Sequence, residues 1–244
     1  YHHPSHVPMA LQRSLEDLQL EYLDLYLIHF PIALEFIDFE ERYPSEWFFE
    51  PEASNPEMKL AKIPLADTWH AMEDLKASKK VKHIGVCNYS TGLLNDLMNY
   101  CQTAPELLQI ESHPYLSQEN LIRLAQQYGL EVTAFSPLGS LSYVELEMAE
   151  QSESILDQSV VKEIAKRLNC SPVQVVLRWG TQRGTSVLAK SISAERMAEN
   201  LASNNIELTP KDMVAISNLN RNRRFNDPGD FCEGAFNTFH PIYD

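Results

Sequence analysis

The chain has 244 residues and a formal net charge of −14, from 20 Lys and Arg against 34 Asp and Glu. Its 44% apolar content is ordinary for a folded globular protein and excludes wholesale disorder. The acidic balance argues against a nucleic-acid binder, which needs a basic face, and no apolar run approaches the ~20 residues of a membrane span.

The first predicted element is a helix over 5–20, with Val7, Leu11, Leu15 and Leu18 on one face and Ser5 as its cap. A short apolar strand over 23–29 ends in His29 and is stopped by Pro31. Residues 30–63 break the rhythm with Phe36, Phe39, Tyr43, Trp47, Phe48 and Phe49, and a connection this long in a compact domain is usually functional. A helix follows over 64–77, with Leu65, Trp69, Met72 and Leu75 on one side.

Alternation then becomes regular. Strands are predicted over 81–86, 107–110, 132–135 and 185–188. Helices are predicted from Ser90 to Tyr100, from Ser117 to Gly129, over 159–168 and from Ser171-Pro172 to near Gly184. Ser193 and Thr209-Pro210 open two more. Residues 137–156 read as a second long loop, and 221–244 as a tail without periodicity.

Repeated βα units with short buried strands imply a parallel sheet. The absence of a Gly-x-Gly-x-x-Gly run argues against a Rossmann domain. A parallel (β/α)8 TIM barrel fits better, and it needs eight strands where five are counted. The chain also opens at Tyr1 without Met or a signal-peptide pattern. The expectation is a single barrel domain that lacks about three N-terminal βα units.

Active sites of parallel barrels gather at the carboxyl ends of the strands. Every predicted strand here ends in polar groups: His29, Asn88, Gln109 with Glu111, Ser136, and Lys190 with Ser191. Lys190, Ser191 and Arg196 lie beside a predicted helix N-terminus, a suitable place for an anion. The alternative is a solvated face in which Glu195 and Glu199 neutralise Arg196. Cys87, Cys101, Cys170 and Cys232 have no metal-ligand spacing, and no metal is expected. His2, His3 and His6 read as a surface patch. The few cysteines and the lack of a secretion signal suggest a cytoplasmic protein.

The runs DLYLIHFP from Asp24, GVCNY from Gly85, QIESHPY from Gln109 and SPLGS from Ser136, with Lys190-Ser191, Glu195-Arg196 and Glu199-Asn200, resemble the successive signatures of the aldo-keto reductases. Their order agrees along nearly the whole chain. Residues 224–228 and 142–145 are similar to the xylose and aldose reductase branch.

The resemblance implies that His29 orients a substrate carbonyl. It places Asn88 and Gln109 on the nicotinamide carboxamide, Phe135 against the ring, and Ser136, Leu138 and Ser140 along the pyrophosphate. Lys190, Ser191 and Arg196 would meet the 2′-phosphate of NADP, Glu199 and Asn200 the adenine, and Glu145 the ribose when NAD is used. Phe30, Trp47 and Asn226 would contact substrate. Residues 30–63, 137–156 and 221–244 become active-site, cofactor and substrate loops. The family's proton-donating Tyr, with its Lys and Asp, matches no position here. Cys87, Ala189 and Gly229 depart from the usual Ser, Pro and Trp. The function implied is NADP-dependent reduction of a small sugar or other carbonyl by a monomer or homodimer without nucleic-acid or membrane partners. A non-catalytic nucleotide-binding member or fragment stays open as the alternative.

Overall fold

A computed structural model describes residues 1–243, Ser142 without its side chain. Residues 1–108 with 227–244 form one compact unit, and residues 109–226 form another.

The first unit contains α1 (Val7–Leu18), β1 (Leu23–Ile28), α2 (Leu65–Ala77), β2 (Val81–Cys87) and α3 (Thr91–Tyr100). The start of β3 (Leu107–Glu111) and α9 (Pro228–Phe236) complete it. β1 and β2 pair in parallel, with Leu25 opposite His83 and Ile28 opposite Val86. β3 begins beside β2, where the Glu106 amide donates to the Ile84 carbonyl at 2.9 Å. The approach requires Gly85, because a Cβ there would lie 2.3 Å from the Leu107 carbonyl oxygen. Val7, Leu11 and Leu15 of α1 are buried, as are Trp69, Met72 and Leu75 of α2. The indole N–H of Trp69 donates to the Thr103 carbonyl, so its burial leaves no polar group unmet.

The second unit holds the end of β3, α4 (Glu119–Gln127), β4 (Glu131–Phe135) and α5 (Ser159–Leu168). α6 (Pro172–Gln182), β5 (Ser186–Leu188), α7 (Ala194–Ala202) and α8 (Pro210–Ser217) follow. β4 and β5 pair in parallel, with Phe135 opposite Leu188. The sheet order is β1-β2-β3-β4-β5, the five strands expected. Val161, Val175, Val176, Trp179 and Ile216 form the core beneath the helices. Capping boxes Ser171/Gln174 and Thr209/Asp212 open α6 and α8, each with Pro in its first turn.

Four local expectations need correction. Leu18 is exposed, because the chain leaves α1 through a left-handed Gln19 (φ 55°) and turns the last side chain outward. Ser5 does not cap α1. Its hydroxyl is engaged with the His3 ring at 2.7 Å, and His6 stands at the cap position. Ser117 does not cap α4, which starts one residue later from a left-handed Gln118 (φ 48°). The tail is not aperiodic, because it contains α9. Asp227 caps that helix by accepting from the Gly229 amide at 2.9 Å, with Pro228 at its start.

Candidate active site

In the first unit His29 follows β1 directly, where the strand hands over to the long 29–64 segment. Its ring keeps an open edge and lies 4.6 Å, centroid to centroid, from Phe30. Surrounding protein desolvates the imidazole and lowers its pKa, which keeps it neutral near pH 7. A cavity of about 190 Å³ borders His29 and is lined also by Tyr1, Tyr26 and Met72.

Asn88 follows β2 in the left-handed conformation (φ 61°) with its side chain buried. Its amide donates to the His29 carbonyl at 2.8 Å, and its oxygen accepts from the Tyr243 hydroxyl at 3.1 Å. The two strand ends singled out in the sequence are thus joined directly. Cys87 beside them is a buried thiol, its pKa pushed up to about 12.

Phe30 and Trp47 stand edge to face at 5.6 Å, and both meet Phe231 of α9. Trp47 also stacks on Phe236 at 5.5 Å. The aromatic excursion and the tail form one apolar cluster with Ile32, Met58 and Cys232. His2 bonds the Phe30 carbonyl, His3 bonds Ser5 and lies 5.1 Å from the His6 ring, and His6 stacks on Phe36. Among the described residues no three His, Cys, Asp or Glu side chains gather as a metal site would need.

The second unit contains an open cavity of about 690 Å³. Its lining includes Phe135, Ser136, Leu138 and Glu145 together with Lys190, Ser191, Arg196, Glu199 and Asn200. Ser136 takes a left-handed turn (φ 49°) at the end of β4. Gly139 must be glycine, since its φ is 69° and a Cβ would lie 2.4 Å from Ile155. Ser193 caps α7 by accepting from the Arg196 amide, which sets the helix N-terminus beside Ser191.

Neither Lys190 nor Arg196 carries an ion pair among the described residues, so Glu195 and Glu199 do not neutralise Arg196. Two unpaired cations, a serine and a helix N-terminus on one cavity make an anion seat. With Glu145, Glu199 and Asn200 also lining the cavity, the donor set suits a phosphorylated nucleoside. Ser140 sits behind this lining, fully buried, with its hydroxyl on the Glu153 carbonyl at 3.1 Å. Gln109 stands half-buried on β3 with its side chain free of hydrogen bonds among the described residues.

Glu111, expected only as a strand-end polar group, and Tyr143, which the sequence did not single out, are joined through residues 225 and 226. The buried Glu111 carboxylate accepts the Phe225 amide at 2.8 Å and the Asn226 amide at 3.0 Å. The buried Tyr143 hydroxyl bonds the Ser136 hydroxyl at 2.7 Å and accepts from the Asn226 side-chain amide at 3.3 Å.

A model of the Aldo/keto reductase family matches residues 1–221. An NAD(P)H-dependent D-xylose reductase of Kluyveromyces lactis is 41% identical over 244 residues, covering 98% of this chain and 74% of the relative. An NADPH-dependent aldose reductase of Saccharomyces cerevisiae is 39% identical, with 98% and 75% covered. The solved aldose reductase of Giardia lamblia superposes with a TM-score of 0.82 at 34% identity, over all of this chain and 75% of that one. The five parallel strands are therefore five of the eight of a (β/α)8 barrel, and the chain belongs to the aldo/keto reductase family.

Proposed function

We propose that this chain acts in an NADP(H)-dependent oxidoreductase that reduces the aldehyde or ketone of a sugar or similar small carbonyl to an alcohol. The observation that carries this reading is the 690 Å³ cavity with Lys190 and Arg196 unpaired on its wall. On a chain of charge −14 two free cations beside a serine and a helix N-terminus favour a phosphorylated ligand. The names of the fungal relatives, NAD(P)H- and NADPH-dependent reductases, agree with that ligand.

When bound, the dinucleotide supplies the hydride. Lys190, Ser191 and Arg196 hold its 2′-phosphate, Glu199 and Asn200 its adenine, and Glu145 the ribose when NAD replaces NADP. Ser136, Leu138 and Ser140 follow the pyrophosphate, Ser140 through its backbone because its hydroxyl is engaged. Asn88 and Gln109 take the carboxamide and Phe135 the ring face. His29, neutral at pH 7, orients the carbonyl oxygen by a hydrogen bond. Phe30 and Trp47 exclude water from substrate, and Asn226 meets a substrate hydroxyl. No residue of this sequence matches the family's proton-donating Tyr or its Lys and Asp. The reading also makes it cytoplasmic, a monomer or homodimer, with no nucleic-acid or membrane partner. Residues 30–63, 137–156 and 221–244 serve as active-site, cofactor and substrate loops of one barrel domain.

The test is steady-state oxidation of NADPH by xylose and by glyceraldehyde. Saturable oxidation of the cofactor with either substrate is expected. Nucleotide binding with no turnover on any small aldehyde would instead support a binding protein.

A further inference from the structure

The polar hub around Tyr143 links two segments far apart in sequence. Glu111 is fully buried on β3 and fixes the backbone at Phe225 and Asn226 by accepting both amides. His113, itself buried, stands 2.9 Å from the same carboxylate, so the anion has hydrogen-bond partners on more than one side. Above it the Tyr143 ring stacks on Phe225 at 5.8 Å, with only 15° between the planes. Burial pushes the Tyr143 phenol pKa up, so the hydroxyl keeps its proton.

That hydroxyl sits between Ser136 and the side chain of Asn226. With Asn226 Nδ2 donating to Tyr143, the phenol proton is left for Ser136 and the amide turns its Oδ1 away from the hydroxyl. Its Oδ1 is then buried and has no hydrogen-bond partner among the described residues. A buried acceptor left unmet is destabilising unless a ligand supplies the donor. Ser136 lines the nucleotide cavity, whereas Asn226 is the residue that the reading above gives to substrate. Tyr143 therefore stands between cofactor loop and substrate contact, touching neither ligand in that reading.

We propose that Tyr143, on the backbone braced by Glu111, is a positioning residue that locks the Asn226 amide so that Oδ1 faces substrate as a single acceptor. It thereby sets the preference for aldehydes bearing a hydroxyl over plain aldehydes. This rests on the reductase reading and on Asn226 as the substrate-hydroxyl contact. The same hydroxyl joins Ser136 to Asn226, so the cofactor loop and the substrate contact share one hydrogen-bonded chain.

The experiment compares kcat/KM for glyceraldehyde with kcat/KM for propanal in the full protein, for wild type, Tyr143→Phe, Asn226→Ala and the double variant. One neutral hydrogen bond is worth roughly fivefold. The glyceraldehyde-to-propanal ratio is expected to fall about fivefold in Tyr143→Phe and at least that far in Asn226→Ala. The double variant is expected to match Asn226→Ala. A ratio unchanged in Tyr143→Phe but lowered in Asn226→Ala would overturn the role of Tyr143 while leaving the reading of Asn226 intact. A ratio unchanged in Asn226→Ala would overturn both.

A readout independent of turnover is the side-chain amide resonance of Asn226, assigned by its loss in Asn226→Asp. Its displacement in Tyr143→Phe is expected, and an unmoved resonance would overturn the proposal even if no aldehyde were reduced.

Discussion

The two compact units solve opposite problems at their strand ends. In the first, Asn88 is bonded at both ends and Phe30 and Trp47 are packed among aromatics, while His29 keeps an open edge. In the second, Lys190 and Arg196 have no ion pair among the described residues and stand on an open cavity. Engaged groups define a shape, and unpaired charges define a ligand. Under the proposed function the first unit holds the geometry around His29, and the second gathers the binding energy.

That contrast can be broken from either side. The largest effect expected is on turnover. His29→Ala removes the orienting group and should lower kcat/KM for glyceraldehyde about a thousandfold. NADPH affinity, measured by fluorescence titration, should stay within about twofold if binding energy resides in the second unit. Normal turnover in the variant would remove His29 from the mechanism.

Next in size is the packing of the first unit. Gly85→Ala would place a Cβ against the Leu107 carbonyl, and backbone cannot yield as a flexible side chain would. Loss of about 3 kcal/mol is expected from denaturant unfolding, since overpacking of this kind costs roughly 1–3 kcal/mol and here meets backbone. Stability within about 0.5 kcal/mol of wild type would show that β2 and β3 can part without penalty.

A smaller effect should appear with pH. Burial lowers the His2 pKa from 6.5 to about 4. The unfolded chain therefore binds a proton that the folded one refuses, and stability falls as pH drops below 6.5 and levels off below about 4. Between pH 7 and pH 5 the loss is about 2 kcal/mol. Urea melts should show it in the wild type and largely lose it in His2→Gln.

The sequence exposed the two units unequally. Caps such as Ser171-Pro172 and Thr209-Pro210 act within four residues, so α6 and α8 open where their residues say. Ser5 and Ser117 have the same chemistry but are taken by other partners. The Ser5 hydroxyl bonds His3, and the Ser117 amide and carbonyl bond Asn220 and Arg183. α9 escaped notice because Phe231, Cys232 and Phe236 pack against the 30–58 segment, which no local periodicity reveals.

That Lys190 and Arg196 fall on one cavity was readable because they are close in sequence and contrast with an acidic chain. The Tyr143 hub was not, because its partners Phe225 and Asn226 lie far along the chain and meet it only after folding. Glu111 is legible in the sequence only as a strand-end polar group, because the Phe225 and Asn226 amides it accepts lie more than a hundred residues away.

The most direct test of the account is nucleotide discrimination at the anion seat. Kd for NADPH and for NADH should be measured by fluorescence titration in the wild type and in Lys190→Met with Arg196→Ala. Each charge-assisted contact is worth about 1.5–3 kcal/mol. The wild type should favour NADPH by tenfold or more, on the order of one such contact, and the double variant should bind both with nearly equal Kd. An NADPH preference that survives loss of both cations would contradict the assignment of the second unit's cavity.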